Sequence, residues 1–374
     1  MKVAINCCFF VPKGGGIKEY IYNLTNNIAK IDDKNEYILY VHSDCLEYAK
    51  ENLPEKMRIK SVPFNSYQAI KRSLFEQKFW TKEEKIERFD LFHSPFFHSP
   101  KFKRAKVVVT VHDMRFCRFP ETYTFLRYQF LKRAVKRSLK NADHIITISE
   151  FTKKEILDVY NLDQNKLTTV LEAVNTDAFS DKKIEYYSSE IMQILQGEKF
   201  LLTVGHLEPR KNYNRLIAAF ARLSEKYPDI KLVIVGKKGH DYMSTLSLIE
   251  TTPNVIYLDF VEHLLLLWLY KNTKLFLFPS IYEGFGFPTL EAACFGTVSV
   301  MSGLSSLPEI GGDSAFYFDP FDIDDIHDTI DNILSNEGLV RQKKMLISSN
   351  LERFSWENNA HETINIYNKV LTDE

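Results

Sequence analysis

Arg210 and Lys211 stand side by side in the string Gly205-His206-Leu207-Glu208-Pro209-Arg210-Lys211-Asn212, directly after the apolar run Phe200–Val204. Two cations at a strand-to-helix junction suit a diphosphate, with helix amides behind it. Without an anion they oppose the helix dipole. The plain alternative is a solvated pair that closes a loop. A second string, Pro279 to Glu291, reads PSIYEGFGFPTLE. Glu283 and Glu291 lie eight residues apart around Gly284-Phe285-Gly286-Phe287. Those glycines expose amides to a ligand, and Pro288 fits a helix start. The plain readings are a dipole-complementing acid at Glu291 and a surface acid at Glu283. The string is too specific for both. A third signal, Gly14-Gly15-Gly16, precedes a helix beginning near Ile17. It lets backbone approach a phosphate, or it serves only a tight turn. It is not a GxGxxG fingerprint, and no acid ends the second strand, which argues against a nicotinamide dinucleotide.

These residues need elements to hold them. Short β-rich runs alternate with helical patterns along the chain. Strands are predicted at Lys2–Asn6, Tyr37–Val41, Arg58–Val62, Asp90–His93, Lys106–Val111 and His144–Ile148. A second set follows at Phe200–Val204, Lys231–Val235, Val255–Leu258, Leu275–Phe278, Thr297–Met301 and Ala315–Phe318. The pattern predicts an α/β chain with two doubly wound Rossmann-like domains facing a central cleft, ligands lying outside the carboxyl ends of the strands. The boundary falls within 175–198, around the polar stretch Asp181–Glu190. This gives an acceptor-binding domain over 1–178 and a donor-binding domain over 179–355, with a last helix over 356–374 returning to the first and Ser355 as its N-cap.

The 374 residues suit two domains, and 45% hydrophobic content supplies two cores. A net charge of -1 excludes a globally basic nucleic-acid binder. The five cysteines form no CxxC pair, so neither a zinc ribbon nor a disulfide framework is expected. No apolar run approaches the roughly 20 residues a membrane span needs. The opening MKVAINCCFFVP is read as a first strand rather than a signal peptide. Asp322-Ile323-Asp324-Asp325 contains a DxD string, but carboxylates that open a helix complement its dipole, so no metal site is expected there.

The span from Glu283 to Glu291 resembles the E-x7-E motif of retaining GT-B glycosyltransferases of family 4 (GT4). VGHLEPRKNYNRLIAAF resembles that family's donor-phosphate segment, and SSLPEIGGDSAFYFDP, the glycine loop and His112-Asp113 are similar as well. The resemblance implies a nucleotide-sugar donor and no metal cofactor. Arg210 and Lys211 would neutralise the diphosphate. Glu283 would contact hydroxyls of the transferred sugar, beside Gly284, Phe285, Gly286 and Phe287, with Thr289 and Leu290 following. Glu291 would hold the ribose, and Phe260 and Val261 would cover the base. Gly15 and Gly16 would approach from the first domain, and His112 would contact the donor sugar. Retention would come from front-face substitution, the departing phosphate taking the acceptor's proton, with Asp113 as a fallback base. HDMRFCRFPE resembles family members that build bacterial surface polysaccharide, and this favours mannose from GDP-mannose. One departure stands out: Ala293-Cys294-Phe295-Gly296-Thr297-Val298 carries an extra Phe and no Pro, which bears on packing.

The acceptor, a glycan or lipid-linked saccharide, is expected on the first domain. Helix Tyr123–Lys140 carries Arg127, Lys132, Arg133, Lys136, Arg137 and Lys140 with no acid. Phe125, Leu126, Phe130, Leu131, Ala134, Val135 and Leu139 form an apolar stripe. It is read as a peripheral contact with anionic membrane at the inner face of a cytoplasmic membrane, against a core-facing helix with a solvated basic face. The segment Tyr67–Lys85, with Lys71, Arg72, Phe75, Phe79 and Trp80, is a second acceptor candidate. A nucleotide-sugar epimerase and an inactive transferase-like binding subunit are the alternatives, and the intact Arg210, Lys211, Glu283 and Glu291 speak against the second.

Overall fold

The computed structural model describes residues 1–66, 69–179 and 190–372. Tyr67, the side chains of Lys71, Arg72 and Phe75, and residues 181–189 of the expected linker lie outside the described residues. The chain forms two compact units, Met1–Glu172 with Ser355–Glu374, and Ala173–Phe354.

In the first unit the strands are β1 (Lys2–Asn6), β2 (Glu36–His42), β3 (Arg58–Val62), β4 (Leu91–Ser94), β5 (Lys106–Val111), β6 (His144–Thr147) and β7 (Leu167–Thr169). They lie parallel in the order β3-β2-β1-β4-β5-β6-β7, with Val3 beside both Tyr37 and Leu91. β7 is an addition to the expected set. Its sequence, LTT, is short and only partly buried, so no apolar run announces it. In the second unit β8 (Lys199–Val204), β9 (Ile230–Val235), β10 (Val255–Leu258), β11 (Leu275–Phe278), β12 (Ser299–Ser302) and β13 (Phe316–Phe318) run parallel in the order β10-β9-β8-β11-β12-β13.

The central strands read as apolar runs because helices cover both faces of each sheet, whereas the edge strands β3 (RIKSV) and β7 (LTT) are mixed. Val3, Ala4 and Ile5 are fully buried, as are Phe276, Leu277 and Phe278. Helix Tyr213–Lys226 buries Leu216, Ile217, Phe220 and Leu223, a three-to-four spacing that turns one face inward. Each such side chain contributes about 1.5–3 kcal/mol of burial. In the first unit Trp80 meets Tyr40 and Phe92 edge-on, both at 4.8 Å between ring centres.

Helix Trp356–Thr372 belongs to the first unit. Ser355 Oγ accepts from the Asn358 amide at 3.3 Å, which caps its start. Trp356 meets Tyr20 of helix Gly16–Ile31 at 5.9 Å, and Asn359 Nδ2 donates to the Leu171 carbonyl. The extra Phe295 packs against the core, and Gly296 takes φ +68°, a left-handed turn that moves the start of β12 to Ser299.

Each sheet has one point where strand order reverses, between β1 and β4 in the first and between β8 and β11 in the second. Crevices at such points take ligands in open α/β sheets. The glycine loop follows β1. The Arg210-Lys211 loop follows β8, and the Glu283 loop follows β11.

Candidate active site

β8 and β11 pair directly, Leu201 against Leu275 and Leu202 against Phe276, so two loops some 70 residues apart in sequence leave the sheet side by side. A short 3-10 turn, Pro209–Lys211, follows β8 and ends at Asn212 in the left-handed region, φ 58°. The Ile281 amide donates to the Arg210 carbonyl at 2.8 Å and ties the loops together. Gly236 is required by the close packing here. A Cβ on it would lie 2.0 Å from the Gly205 carbonyl oxygen.

The side chains converge on one carboxylate. Lys211 Nζ donates to Glu283 Oε1 at 2.6 Å, and Arg210 Nη1 donates to the same oxygen at 3.0 Å. Arg210 also donates through Nη1 to the Tyr282 carbonyl and through Nε to Glu208 Oε2 at 2.9 Å. The Lys211 ammonium sits 4.8 Å from the centre of the Phe278 ring. Two cations and two carboxylates thus share a largely buried cluster. The opposition between paired cations and helix dipole is relieved by resident acids, Glu208 and Glu283. Burial works against the Arg210 charge, but Glu283 and Glu208 outweigh it and hold its pKa above the ordinary value. Burial pulls the Lys211 pKa down, Glu283 opposing and Arg210 reinforcing. Burial would raise the Glu283 carboxyl, yet Lys211 and Arg210 hold it below the usual range.

The loop that carries Glu283 is braced from β12. Ser306 Oγ lies 3.0 Å from the Glu283 carbonyl and 2.7 Å from that of Phe285, and the Glu283 amide donates to Ser305 Oγ. Gly286 takes φ +118° as the N-cap of helix Phe287–Ala293, where a Cβ would also press on Leu307. Phe285 packs inward against Phe354, and Leu290 is fully buried. The side chains of Phe285 and Leu290 therefore belong to the packed interior, so these two residues can meet a donor only through their backbone. Thr289 is buried too, and its hydroxyl has no partner among the described residues. Glu291, on the same helix, accepts from the Tyr270 hydroxyl at 2.7 Å, and burial raises its carboxyl pKa. Past β10, Phe260 is 70% exposed with Lys237 over its ring, and Val261 is half-buried beside it.

In the first unit, Gly15 and Gly16 begin helix Gly16–Ile31 and face open space, as a phosphate-approaching backbone requires. Gly14 is small for another reason, because a Cβ there would sit 2.6 Å from the Lys18 Cβ. His112 follows β5. Its Nε2 lies 2.9 Å from the Pro95 carbonyl, and its Nδ1 lies 2.9 Å from Glu172 Oε1. Asp113 accepts from the Arg115 amide and so closes the next turn.

A cavity of about 810 Å³ opens in this unit, walled by Phe96, Phe97 and Phe116 on one side and by helix Phe125–Asn141 on the other. Arg127, Arg133 and Arg137 line it; Lys132, Lys136 and Lys140 are exposed outside its lining. The expected apolar stripe of this helix is only partly a core face. Val135 and Leu139 are buried, whereas Phe125, Leu126 and Phe130 are 74%, 80% and 54% exposed. Its first turns project beyond the core that receives its last ones.

Four partners escaped the sequence reading. Glu208 stands inside the recognised string and is visible as an acid two residues from Arg210. Tyr270, Ser306 and Glu172 carry no local signal, since only strand order and helix packing bring them to Glu291, Glu283 and His112.

Among the described residues no helix is long and apolar enough to cross a membrane. The DxD string is a helix N-cap, with Asp322 accepting from the amides of Asp324 and Asp325.

The family model described as Glycosyltransferase Family 4 matches residues 14–178, and that described as Glycosyl transferases group 1 matches 188–351. O-antigen chain mannosyltransferase B of Escherichia coli is 30% identical over 284 residues, 74% of each chain. Sucrose-phosphate synthase of Thermosynechococcus elongatus matches all of both chains with a TM-score of 0.75 at 16% identity. Anabaena HepE, solved in complex with UDP-glucose, matches 99% of this chain and 100% of its own with a TM-score of 0.73, also at 16% identity. With its GT-B architecture and both halves matched, the chain belongs to glycosyltransferase family 4 and is a hexosyl-transferring enzyme.

Proposed function

We propose that this enzyme transfers mannose from GDP-mannose to a saccharide or lipid-linked saccharide in bacterial surface polysaccharide synthesis, with retention of configuration and without a metal. The observation that carries the donor reading is the convergence of Arg210 and Lys211 on one oxygen of Glu283 at the strand-order switch point. A diphosphate oxygen fits where that carboxylate oxygen lies. In glycosyl transfer negative charge grows on the departing diphosphate, and preorganised cations stabilise that change, by about 2.7–4 kcal/mol for one well-placed donor. Arg210 and Lys211 supply it here. The carboxylate they release turns to hydroxyls of the transferred sugar, and Glu291 takes the ribose. Mannose is supported by the relative's name, O-antigen chain mannosyltransferase B.

The acceptor binds in the aromatic and arginine-lined cavity of the first unit. Arginine forks suit anionic oxygens, and aromatic faces suit sugar rings. The exposed Phe125, Leu126 and Phe130 with Lys132, Lys136 and Lys140 dock the enzyme on the inner, anionic face of a cytoplasmic membrane.

The test is a thermal-shift panel of GDP, UDP, dTDP and ADP with their mannose and glucose conjugates, with and without EDTA. A ligand that binds only the folded state raises its apparent stability. A shift from GDP and GDP-mannose that EDTA leaves intact is expected. Preference for UDP would overturn the donor, and abolition by EDTA would overturn the metal-free reading. NMR of the product's anomeric proton decides retention.

A further inference from the structure

His112 places both ring nitrogens against oxygen atoms, an arrangement that suits an imidazolium beside a carboxylate. Its Nε2 faces the Pro95 carbonyl and its Nδ1 faces a Glu172 carboxylate oxygen, both at 2.9 Å. The Pro95 carbonyl only accepts, and so does an ionised Glu172 carboxylate. A neutral ring that gives its one N–H to Pro95 would turn a bare Nδ1 toward Glu172 Oε1, which is buried, accepts no hydrogen bond among the described residues and has this ion-pair contact at 2.9 Å. Glu172 is 1% exposed, so an unpaired charge there would be strongly unfavourable. The ring is held in place as well, since Tyr20 packs edge-on beneath it at 4.9 Å.

We propose that Glu172 is the positioning residue that holds His112 as an imidazolium, so that His112 acts as a fixed cation toward the donor and not as a proton acceptor. This rests on the reading that His112 faces the donor sugar. The charged and titratable groups around it agree with the sign. Glu172 comes from the segment after β7 and Asp113 from its own loop. His93 on β4 is held neutral, its pKa lowered to about 3 by burial and by the charge of His112. Tyr20 is a buried phenol whose pKa is raised by burial. Burial opposes the His112 charge, but Glu172 and the Pro95 carbonyl outweigh it and raise its pKa. As an imidazolium, with Nε2 toward Pro95 and Nδ1 paired with Glu172, the ring has no lone pair for an acceptor's proton. That task falls to another base, such as the departing phosphate.

The experiment uses the full-length protein with histidines labelled in nitrogen-15. At pH 7.5 the His112 nitrogens are expected to show the doubly protonated signature in wild type and the neutral one in Glu172→Gln. The rate of Glu172→Gln is expected to fall at least tenfold at pH 7.5 through kcat, and to recover on acidification, since the cation returns below the ring's new pKa. Glu172→Asp restores part of the alkaline rate. A neutral His112 in wild type would overturn the proposal, as would a Glu172→Gln pH profile of unchanged shape. Full activity in His112→Asn would instead sink the placement of His112 at the donor, while the nitrogen signature still decides the ion pair.

Discussion

Lys211 Nζ and Glu283 Oε1 lie 2.6 Å apart, and that one oxygen also receives Arg210 at 3.0 Å. A single carboxylate oxygen bridging two cations stands where a phosphate oxygen would be welcome. Phosphate and carboxylate compete for the same donors, and the first brings more charge.

Glu283→Gln follows from this relationship. The variant loses the bridging charge, so Arg210 and Lys211 keep an excess of positive charge. Nucleoside diphosphate binding is expected to stay level or tighten severalfold in calorimetry. Turnover is expected to drop about 100-fold or more, since the sugar contact goes with the carboxylate. Weaker diphosphate binding would show that the carboxylate is not a competitor for the cations.

Arg210→Ala removes the other side of the pair. Diphosphate affinity is expected to fall about 10-fold to 100-fold, since hydrogen bonds to charged groups contribute about 1.5–3 kcal/mol each. Glu208 also loses its Nε partner, and stability without nucleotide is expected to fall. Unchanged affinity by calorimetry would remove Arg210 from the diphosphate site.

Much of this was legible beforehand. Every strand except β7 is expected from the sequence, most of them by an apolar run, because both faces of each sheet are covered; β3, RIKSV at the sheet edge, is mixed and mostly unburied. The cation pair and the Glu283 turn stand out because glycines and charges follow buried strands directly. Their meeting on one oxygen was not legible. It depends on β8 pairing with β11, a crossover that no local pattern encodes. The inward turn of the Leu290 and Phe285 side chains was not legible for a related reason. Motif membership says nothing about which way a side chain faces, and these two turn into the core.

The two acids of the motif predict opposite pH effects on stability. Glu283 has a lowered pKa in the fold, because Lys211 and Arg210 outweigh its burial. Its contribution is present above the unfolded value of about 4.3 and is lost as pH falls through the folded pKa. Glu291 has a raised pKa, caused by burial. Its ionisation destabilises the fold as pH rises from the unfolded value through the folded one. Urea midpoints from pH 3 to 8 check both. Glu283→Gln should flatten the acid limb, and Glu291→Gln should remove a loss on the way to neutrality. An unaltered acid limb in the first variant would mean that the ion pairs contribute nothing net.

Helix Phe125–Asn141 divides its cations, arginines toward the cavity and lysines away from it. A membrane role and an acceptor role therefore separate by substitution. Replacing Lys132, Lys136 and Lys140 with Gln is expected to weaken co-sedimentation with vesicles of mixed anionic and zwitterionic lipid, each cation near the surface contributing about 1 kcal/mol. Binding should also fall as salt rises, since charges beyond a Debye length of about 10 Å at 0.1 M are screened. Arg133→Gln with Arg137→Gln is expected to spare vesicle binding relative to the lysine variant and to raise KM for the acceptor. Phe125→Ser removes apolar surface that lies outside the cavity lining and has no core to enter, so it should lower vesicle binding with little change in melting temperature. If the lysine variant sediments like wild type at every salt concentration, the basic face is simply solvated. The cavity would then take its acceptor from solution.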